Sequence, residues 1–578
     1  MTEFMTRFEA WRDSPALSES EWKELDAIKD DENEIESRFF SPLEFGTAGL
    51  RGTMKLGLHH MNTHVVRHAT QSFANVILSS GEAAELSTVI ICYDCRTNSE
   101  TFARQAACVM AANGINVKIF DALRPTPELS FAIRHYGATA GINVTASHNP
   151  KEYNGFKVYW GDGAQLPPEK AAQIAEQMEQ IDIFTGFKIM DFEDAVEKRI
   201  ITMLGQETDE LFLQNVLAQS IDKSVVEEVS DDFRVVFTPF HGAGHALVPE
   251  ALRRLGVKHV FPVREQMVID GGFPTVESPN PENPEGFHLA VKLAKEEGGG
   301  LIIGTDPDAD RIGVMVRSGE EYISITGNQL GVLLLHYILE AKKSAGTLPE
   351  NAAVIKSIVT TTLADEVAKS AGVHVENTFT GFKFMAEVIA EWEKTGEYKY
   401  VFAYEESYGY MMGDYVRDKD AVTASMMITE MAAFYSKKGM TLCDALNAIY
   451  EQFGYFKEET ISLLMPGIDG LEDMRRLMTS LRSNPPEEMA GISVTMQRDY
   501  EAGTLTVANL GIVGQTHIVG SNVLFFELAD GSVFVVRPSG TEPKIKIYIL
   551  VRGSGSEQCD QKIKSLKAYA ETLKSLAQ

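Results

Sequence analysis

Cysteine is scarce. Five cysteines, at positions 92, 95, 108, 443 and 559, serve a chain of 578 residues. An odd, sparse set of this kind does not read as a disulfide framework. "CYDC" contains a C-x-x-C, but no second pair follows at zinc-site spacing, so two strand-end thiols are expected there. Basic residues are also in short supply: 53 Lys and Arg stand against 82 Asp and Glu, a formal net charge of -29. That balance argues against a nucleic-acid partner, which needs a basic footprint, and against an anionic membrane surface. Any pocket for an anion must therefore be locally basic. No apolar run approaches the roughly 20 residues of a membrane span. The opening "MTEFMTRFEAWRDSPALSESEW" is acidic and polar, unlike a secretory signal, so the cytoplasm is the expected location.

What is present is an ordinary globular composition, 44% hydrophobic and 23% charged, on a chain long enough for roughly three to five domains. Residues 1–40 read as helical and solvent-facing, with a Ser18–Glu21 capping box. Strands and helices then alternate: "STVIICYD", "SETFARQAACVMAANG", "INVKIFD", "PTPELSFAIRHYG", "TAGINVTAS". The pattern returns from "FRVVFTPFHGAG" to "GLIIGTDPDADRIGVMV", and again from "AAVIKSIVTT" to "KYVFAYEESYGY". Such alternation predicts mostly parallel sheets covered on both faces, with ligands beyond the C-terminal strand ends. Residues 421–455 read as helical throughout. After about residue 456 the texture becomes alternating strands closed by an amphipathic helix, a smaller α+β domain. The expected division is 1–205, 206–325, 326–455 and 456–578.

Four stretches carry chemistry. "LIIGTDPDADRIG" sets Asp306, Asp308 and Asp310 directly after a buried apolar strand, where three mutually repelling carboxylates invite a divalent cation such as Mg2+. An EF-hand is excluded, because its sixth and twelfth positions are here Arg311 and Arg317. "VTASHNPKEYNGFK" puts Ser147 at a strand end, then an Asn-Gly turn and Lys157. "RPSGTEPKIKIY" groups Arg537, Ser539, Gly540, Thr541 and Lys544 as a phosphate cradle. "YEESYGY" offers Glu405 and Ser407 to sugar hydroxyls, or is the capped start of a helix. Arg51 in "FGTAGLRG" and Lys383 in "TGFKF" are surface cations or anion contacts.

In this order, T-A-S-H-N-P, D-x-D-x-D-R, E-E-S and R-P-S-G-T-E-P resemble the α-D-phosphohexomutase superfamily. Spacing and the T-G-F-K-F element resemble its phosphoglucomutase and phosphopentomutase-like branch, over roughly residues 42–555. The resemblance implies three similar α/β domains with mixed, mostly parallel sheets and a smaller C-terminal α+β domain around a central cleft. It implies a phosphosugar mutase that interconverts glucose 1-phosphate and glucose 6-phosphate through phosphoserine 147 and glucose 1,6-bisphosphate. Ser147 and the three aspartates would ligate one Mg2+. His148, Arg51, Lys157 and Lys383 would serve the transfer. Arg311, Thr380, Gly381, Glu405, Ser407, Arg537, Ser539, Gly540, Thr541 and Lys544 would bind substrate. A phosphopentomutase, a phosphomannomutase and a non-catalytic phosphosugar-binding protein are the alternatives, and a monomer or weak homodimer is expected. Pro307 departs from the glycine of many relatives, and "YEESYGY" from the G-E-x-S-G-H of the mannose and glucosamine branches. A haloacid-dehalogenase-type reading would use an aspartate nucleophile instead, with Asp414 and Asp418 mimicking its later acidic motif.

Overall fold

The computed structural model describes residues 2–46, 49–81, 83–465, 470–539 and 544–576. Its contacts divide the chain into two compact units: residues 1–327 with 385–441, and residues 328–384 with 442–578.

The first unit holds two mixed sheets. One comprises β1 (Leu50–Thr53), β2 (Thr88–Tyr93), β3 (Asn116–Phe120), β4 (Ala140–Val144), β5 (Tyr153–Trp160) and β6 (Ile201–Leu204), in the order β1-β5-β4-β2-β3-β6. The four strands β4, β2, β3 and β6 are parallel; β5 and β1 are added antiparallel. Every residue of β4 is buried, including Asn143, whose Nδ2 donates to Thr126 Oγ1 at 2.7 Å. β4 thus delivers Thr145, Ala146 and Ser147 at its C-terminal end.

β5 corrects one expectation. The predicted Asn-Gly turn is the interior of a strand, because Asn154 and Gly155 are held there by their surroundings. Buried Asn154 donates to Thr97 O and to Ser99 Oγ, each at 3.0 Å. A Cβ on Gly155 would lie 2.5 Å from the Thr145 carbonyl oxygen, so only glycine lets β5 approach the end of β4. This strand carries Lys157 inward.

The second sheet has β7 (Arg234–Thr238), β8 (His259–Pro262), β9 (Leu301–Thr305), β10 (Ile312–Ser318) and β11 (Glu321–Ile325), ordered β11-β10-β9-β7-β8. β7, β8 and β9 are parallel, and β10 and β11 return antiparallel. The strand pair Lys399–Glu405 and Gly409–Met411 and the helix Ala421–Lys437 also belong to this unit. That helix is buried on nearly every side and is capped by the Asp420 carboxylate.

Residues 421–455 are helical in two pieces, Ala421–Lys437 and Leu442–Phe453, interrupted at Gly439, where φ is 71°. The N-terminal segment is helical as expected, and the Ser18–Glu21 capping box is formed. It is not merely solvent-facing: Phe8, Trp11, Leu25, Ile35 and Phe39 form an apolar cluster with Leu56. Single apolar positions among many charges hid that face in the sequence.

In the second unit, Ala352–Ser357 pairs in parallel with His374–Thr378. The C-terminal sheet is antiparallel at each pairing, running Tyr455–Leu464, Lys544–Gly553, Val533–Pro538, Leu524–Leu528, Ile492–Asp499, Thr504–Val507 and Gly511–Gln515 from edge to edge. The helix Ser556–Thr572 covers it with Cys559, Ile563 and Leu566. All five cysteines are free. No helix among the described residues is long and apolar enough to cross a membrane.

One buried histidine makes the N-terminal region acid-sensitive. His60 is 7% exposed, its Nδ1 is 2.8 Å from Thr53 Oγ1, and its Nε2 has no partner. Burial, then the charges of Arg38 and Lys55, push its pKa down to about 4. The unfolded chain takes up a proton at about 6.5, so the stabilisation is whole above that pH and is lost as pH falls towards 4. Between pH 7 and pH 5 this site costs up to about 2 kcal/mol, or about 2–3 °C in the thermal midpoint of a unit of this size. His60→Gln should remove that share of the decline, read by thermal unfolding at both pH values.

Candidate active site

The loop after β9 buries three carboxylates. Asp306 and Asp308 are fully buried and Asp310 nearly so. The turn is fixed locally, since Asp306 Oδ1 accepts the backbone N–H of Asp310 at 3.1 Å and of Arg311 at 3.0 Å. One oxygen from each of the three aspartates falls within a 4.8 Å group. Two like charges at that distance repel by about 3–4 kcal/mol at an effective dielectric of about 20. The loop therefore needs compensating cations.

Side chains from outside the loop supply them. Lys157 Nζ donates to Asp308 Oδ2 at 2.8 Å and lies 3.6 Å from Asp310. Lys419 Nζ is 3.2 Å from Asp310 and 3.0 Å from Asp418. Thr126 Oγ1 donates to Asp308 Oδ2 at 2.9 Å. Burial alone would lower the Lys157 pKa; Asp308 and Asp310 reverse this and hold it above the usual lysine value. Burial likewise opposes the charge on Lys419, and Asp310 and Asp418 restore it. Burial, then Asp308 and Asp310, hold the Asp306 carboxyl well above the usual carboxylate range. For Asp308, burial opposes ionisation, but Lys157 outweighs it and keeps the carboxyl charged.

Compensation stops short of completion. Asp308 Oδ1 and Asp310 Oδ1 are buried and accept no hydrogen bond. Two orphaned carboxylate oxygens in a dry cluster suit a hard divalent cation. Among the described residues, this triplet is the one His/Cys/Asp/Glu group with metal-ligand geometry.

Ser147 stands against this cluster. It is 3% exposed and its φ is 52°, a left-handed conformation that non-glycine residues rarely adopt. Its N–H bonds Thr145 Oγ1 at 2.8 Å, and its Oγ donates to Asp306 Oδ2 at 2.7 Å. His148 Nδ1 lies 3.2 Å from the same Oγ. Burial, then Arg311 and Arg51, hold His148 well below its usual pKa, so its imidazole is neutral. Arg51 Nη1 donates to Asn149 Oδ1 at 3.1 Å.

Arg311 is aimed by Glu282, whose Oε1 accepts from Nη1 at 3.0 Å. The E-E-S loop reaches the same place: Ile312 N–H bonds Tyr408 O at 3.1 Å, and Arg311 forms a β-bridge with Gly409. Glu405 is buried at the end of its strand, and its charge acts on both Arg311 and Lys419. Ser407 follows in the half-buried turn. The first unit therefore brings together Ser147, His148, Arg51, Lys157, the three aspartates, Arg311 and the Glu405 loop.

The remaining candidates belong to the second unit. Gly381 has a φ of 118°, just before the helix Phe382–Thr395, and Thr380 precedes it. Lys383 Nζ sits 4.7 Å from the centre of the Phe384 ring. Arg537 pairs in register with Lys546, and Ser539 N–H bonds Lys544 O at 2.9 Å. Gly540 and Thr541 lie outside the described residues.

Models of the phosphoglucomutase/phosphomannomutase α/β/α domains I, II and III match residues 42–183, 210–319 and 326–453, and that of the C-terminal domain matches 489–558. A phosphoglucomutase of Staphylococcus haemolyticus is 34% identical over 534 residues, covering 91% of this chain and 94% of the relative. One from Staphylococcus aureus is 35% identical over 546 residues, covering 93% and 94%. The chain belongs to the phosphoglucomutase/phosphomannomutase family. Its fold is accordingly three α/β domains followed by a C-terminal domain. Two solved structures share that fold: parafusin, a phosphoglucomutase from Paramecium (TM-score 0.66, 18% identity, covering 93% of this chain and 95% of that one), and a phosphoglucomutase/phosphomannomutase family protein from Burkholderia thailandensis (0.64, 17%, 92% and 97%).

Within this family member, sequence reasoning missed Lys419, Thr126 and Glu282. Lys419 stands in "VRDKD", which reads as a solvated charge run; only the burial of the following helix turns it inward. Asp418, the residue that suggested a dehalogenase-like motif, accepts from Tyr159 OH and Gln165 Nε2, each at 2.9 Å, and pairs with Lys419.

The orphaned oxygens predict a cation response. Titrating metal-stripped protein with a divalent cation to about 100 times its Kd should stabilise the folded state by about 2.7 kcal/mol, seen as a higher thermal midpoint. Asp310→Asn should abolish most of that gain. An unchanged midpoint in the parental protein would contradict the assignment.

Proposed function

We propose that this protein is a phosphoglucomutase, interconverting glucose 1-phosphate and glucose 6-phosphate through phosphoserine 147 and a glucose 1,6-bisphosphate intermediate. The observation that carries the reading is Ser147 Oγ, 2.7 Å from an aspartate of a buried triplet with two open carboxylate oxygens. The curated relatives named phosphoglucomutase, at 34–35% identity over more than nine-tenths of the chain, support the choice of glucose.

Asp306, Asp308, Asp310 and the phosphate on Ser147 would hold one Mg2+, a hard ion suited to oxygen ligands. When bound, it supplies charge neutralisation at the transferring phosphoryl oxygens. Lys157, kept cationic by two aspartates, and Arg311, aimed by Glu282, add fixed positive charge that needs no reorganisation during transfer. The bond from phosphorus to Ser147 Oγ breaks as one to the free sugar hydroxyl forms; that hydroxyl gives up its proton and Ser147 Oγ takes one up, so no net proton is gained or lost. Neutral His148 orients the serine oxygen from 3.2 Å. After the bisphosphate turns end for end, Ser147 takes the other phosphoryl group.

Glu405 and Ser407 grip the sugar hydroxyls in this reading, with Arg51 beside the transferring group. Thr380, Gly381 and Lys383 contact the substrate, and Arg537, Ser539, Gly540, Thr541 and Lys544 hold the phosphate that does not react. The domains run 1–205, 206–325, 326–455 and 456–578, and the protein acts in the cytoplasm as a monomer or weak homodimer on a small phosphosugar.

Ser147→Ala should lower turnover of glucose 1-phosphate by more than about 1,000-fold with little change in thermal midpoint. The assay pairs glucose, mannose, glucosamine, ribose and deoxyribose 1-phosphates with Mg2+ and the matching bisphosphates. Preference for a pentose would overturn the choice of glucose, and turnover of none would overturn the enzymatic reading.

A further inference from the structure

The serine loop is built around a cation that the mechanism above does not use. Arg96 is 3% exposed and lies in the turn after β2. Its Nη1 donates to Pro150 O at 2.8 Å and Tyr153 O at 3.0 Å. Its Nη2 donates to Ser147 O at 2.5 Å and to Asn149 O. One guanidinium thus gathers four carbonyls from residues 147–153, and the first belongs to the strained serine.

Arg96 is itself held from two sides. Its Nε is 3.3 Å from Asp94 Oδ2 in an ion pair whose side chains are both fully buried. Asp94 Oδ1 in turn accepts Arg96 N–H at 2.9 Å and Ser99 Oγ at 2.7 Å. Across the guanidinium lies Phe273, from the long loop after β8, with its ring centre 5.1 Å from Cζ. That loop fits closely: a Cβ on Gly271 would come within 2.5 Å of Thr97 N and 2.8 Å of Cys95 O. The same loop supplies Glu282, the partner of Arg311.

We infer that Arg96, clamped between Asp94 and Phe273, is the positioning residue for the phosphoryl-carrying serine, an inference that rests on the assignment of Ser147 as that carrier. Each carbonyl bound to Arg96 has its negative end turned to the guanidinium rather than free to face a dianionic phosphate. Four anchored carbonyls also hold Ser147 at its φ of 52°, which an unrestrained loop would leave. The fork geometry matters, because an ammonium has three donors on one point and cannot span four carbonyls. The Arg96 guanidinium bonds the loop carbonyls and Asp94, not the Ser147 hydroxyl, so its effect passes through the loop backbone.

The test compares the full-length parental protein with Arg96→Lys. Steady-state kinetics use glucose 1-phosphate, Mg2+ and glucose 1,6-bisphosphate, and amide hydrogen exchange is followed in the peptide spanning residues 144–155. The expected result is a kcat lowered about 100-fold, the effect of a misplacement near 1 Å, with KM changed less than about threefold. Exchange in 144–155 should quicken at least about tenfold. Parental kcat with parental exchange overturns the inference, as does a loss of kcat with unchanged exchange. Should Arg96→Lys fail to fold, Phe273→Leu is read by the same two measurements, with smaller changes in the same direction expected and none overturning it. A parental protein that turns over no glucose phosphate defeats the phosphoglucomutase reading instead, and exchange in 144–155 then decides the role of Arg96 alone.

Discussion

Three carboxylates sealed from water at the end of one strand set the terms for the first unit. Left alone they would repel and draw protons, and the fold does not leave them alone. Lys157 arrives on β5, Lys419 at the mouth of a buried helix, and Thr126 at the start of the helix Thr126–His135. Each comes from a different stretch of chain. The cluster thereby pins the first sheet, the second sheet and the segment after the Glu405 loop to one point. The geometry of the candidate site and the packing of the unit are consequences of the same electrostatic requirement.

The compensation is incomplete in a directed way. Two carboxylate oxygens remain open, and the serine that faces the cluster is buried in a strained conformation. Strain of this kind persists only where surrounding contacts over-determine the backbone. Here those contacts come from Arg96 below the loop and from Asp306 at the hydroxyl. A site prepared in this manner does not have to assemble during the reaction, which is what phosphoryl transfer asks of a protein.

Much of this was legible in the chain itself. Alternating aspartates straight after an apolar run repel one another and need a partner, so the triplet announced itself. Ser147 was visible because a mostly apolar strand stops beside it. Arg96 and Lys419 were not visible, because a cation close to an aspartate in sequence looks like a solvated pair. Its burial comes from elements far away: Phe273 for one, the helix Ala421–Lys437 for the other. Asn154 and Gly155 misled for a related reason. Their local preference is a turn, yet the close approach of Thr145 and Leu50 carbonyls makes glycine a packing requirement inside a strand. The apolar face of the N-terminal helices was obscured by the charges around it.

The central claim is that a divalent ion at the aspartate triplet sits directly beside a phosphate carried by Ser147. Phosphorus NMR of the phosphorylated protein tests it when paramagnetic Mn2+ is added. The account predicts that the phosphoserine resonance broadens beyond detection at one equivalent of Mn2+, and that Asp308→Asn restores a sharp line at the same concentration. A resonance that stays sharp while Mn2+ is bound would contradict it.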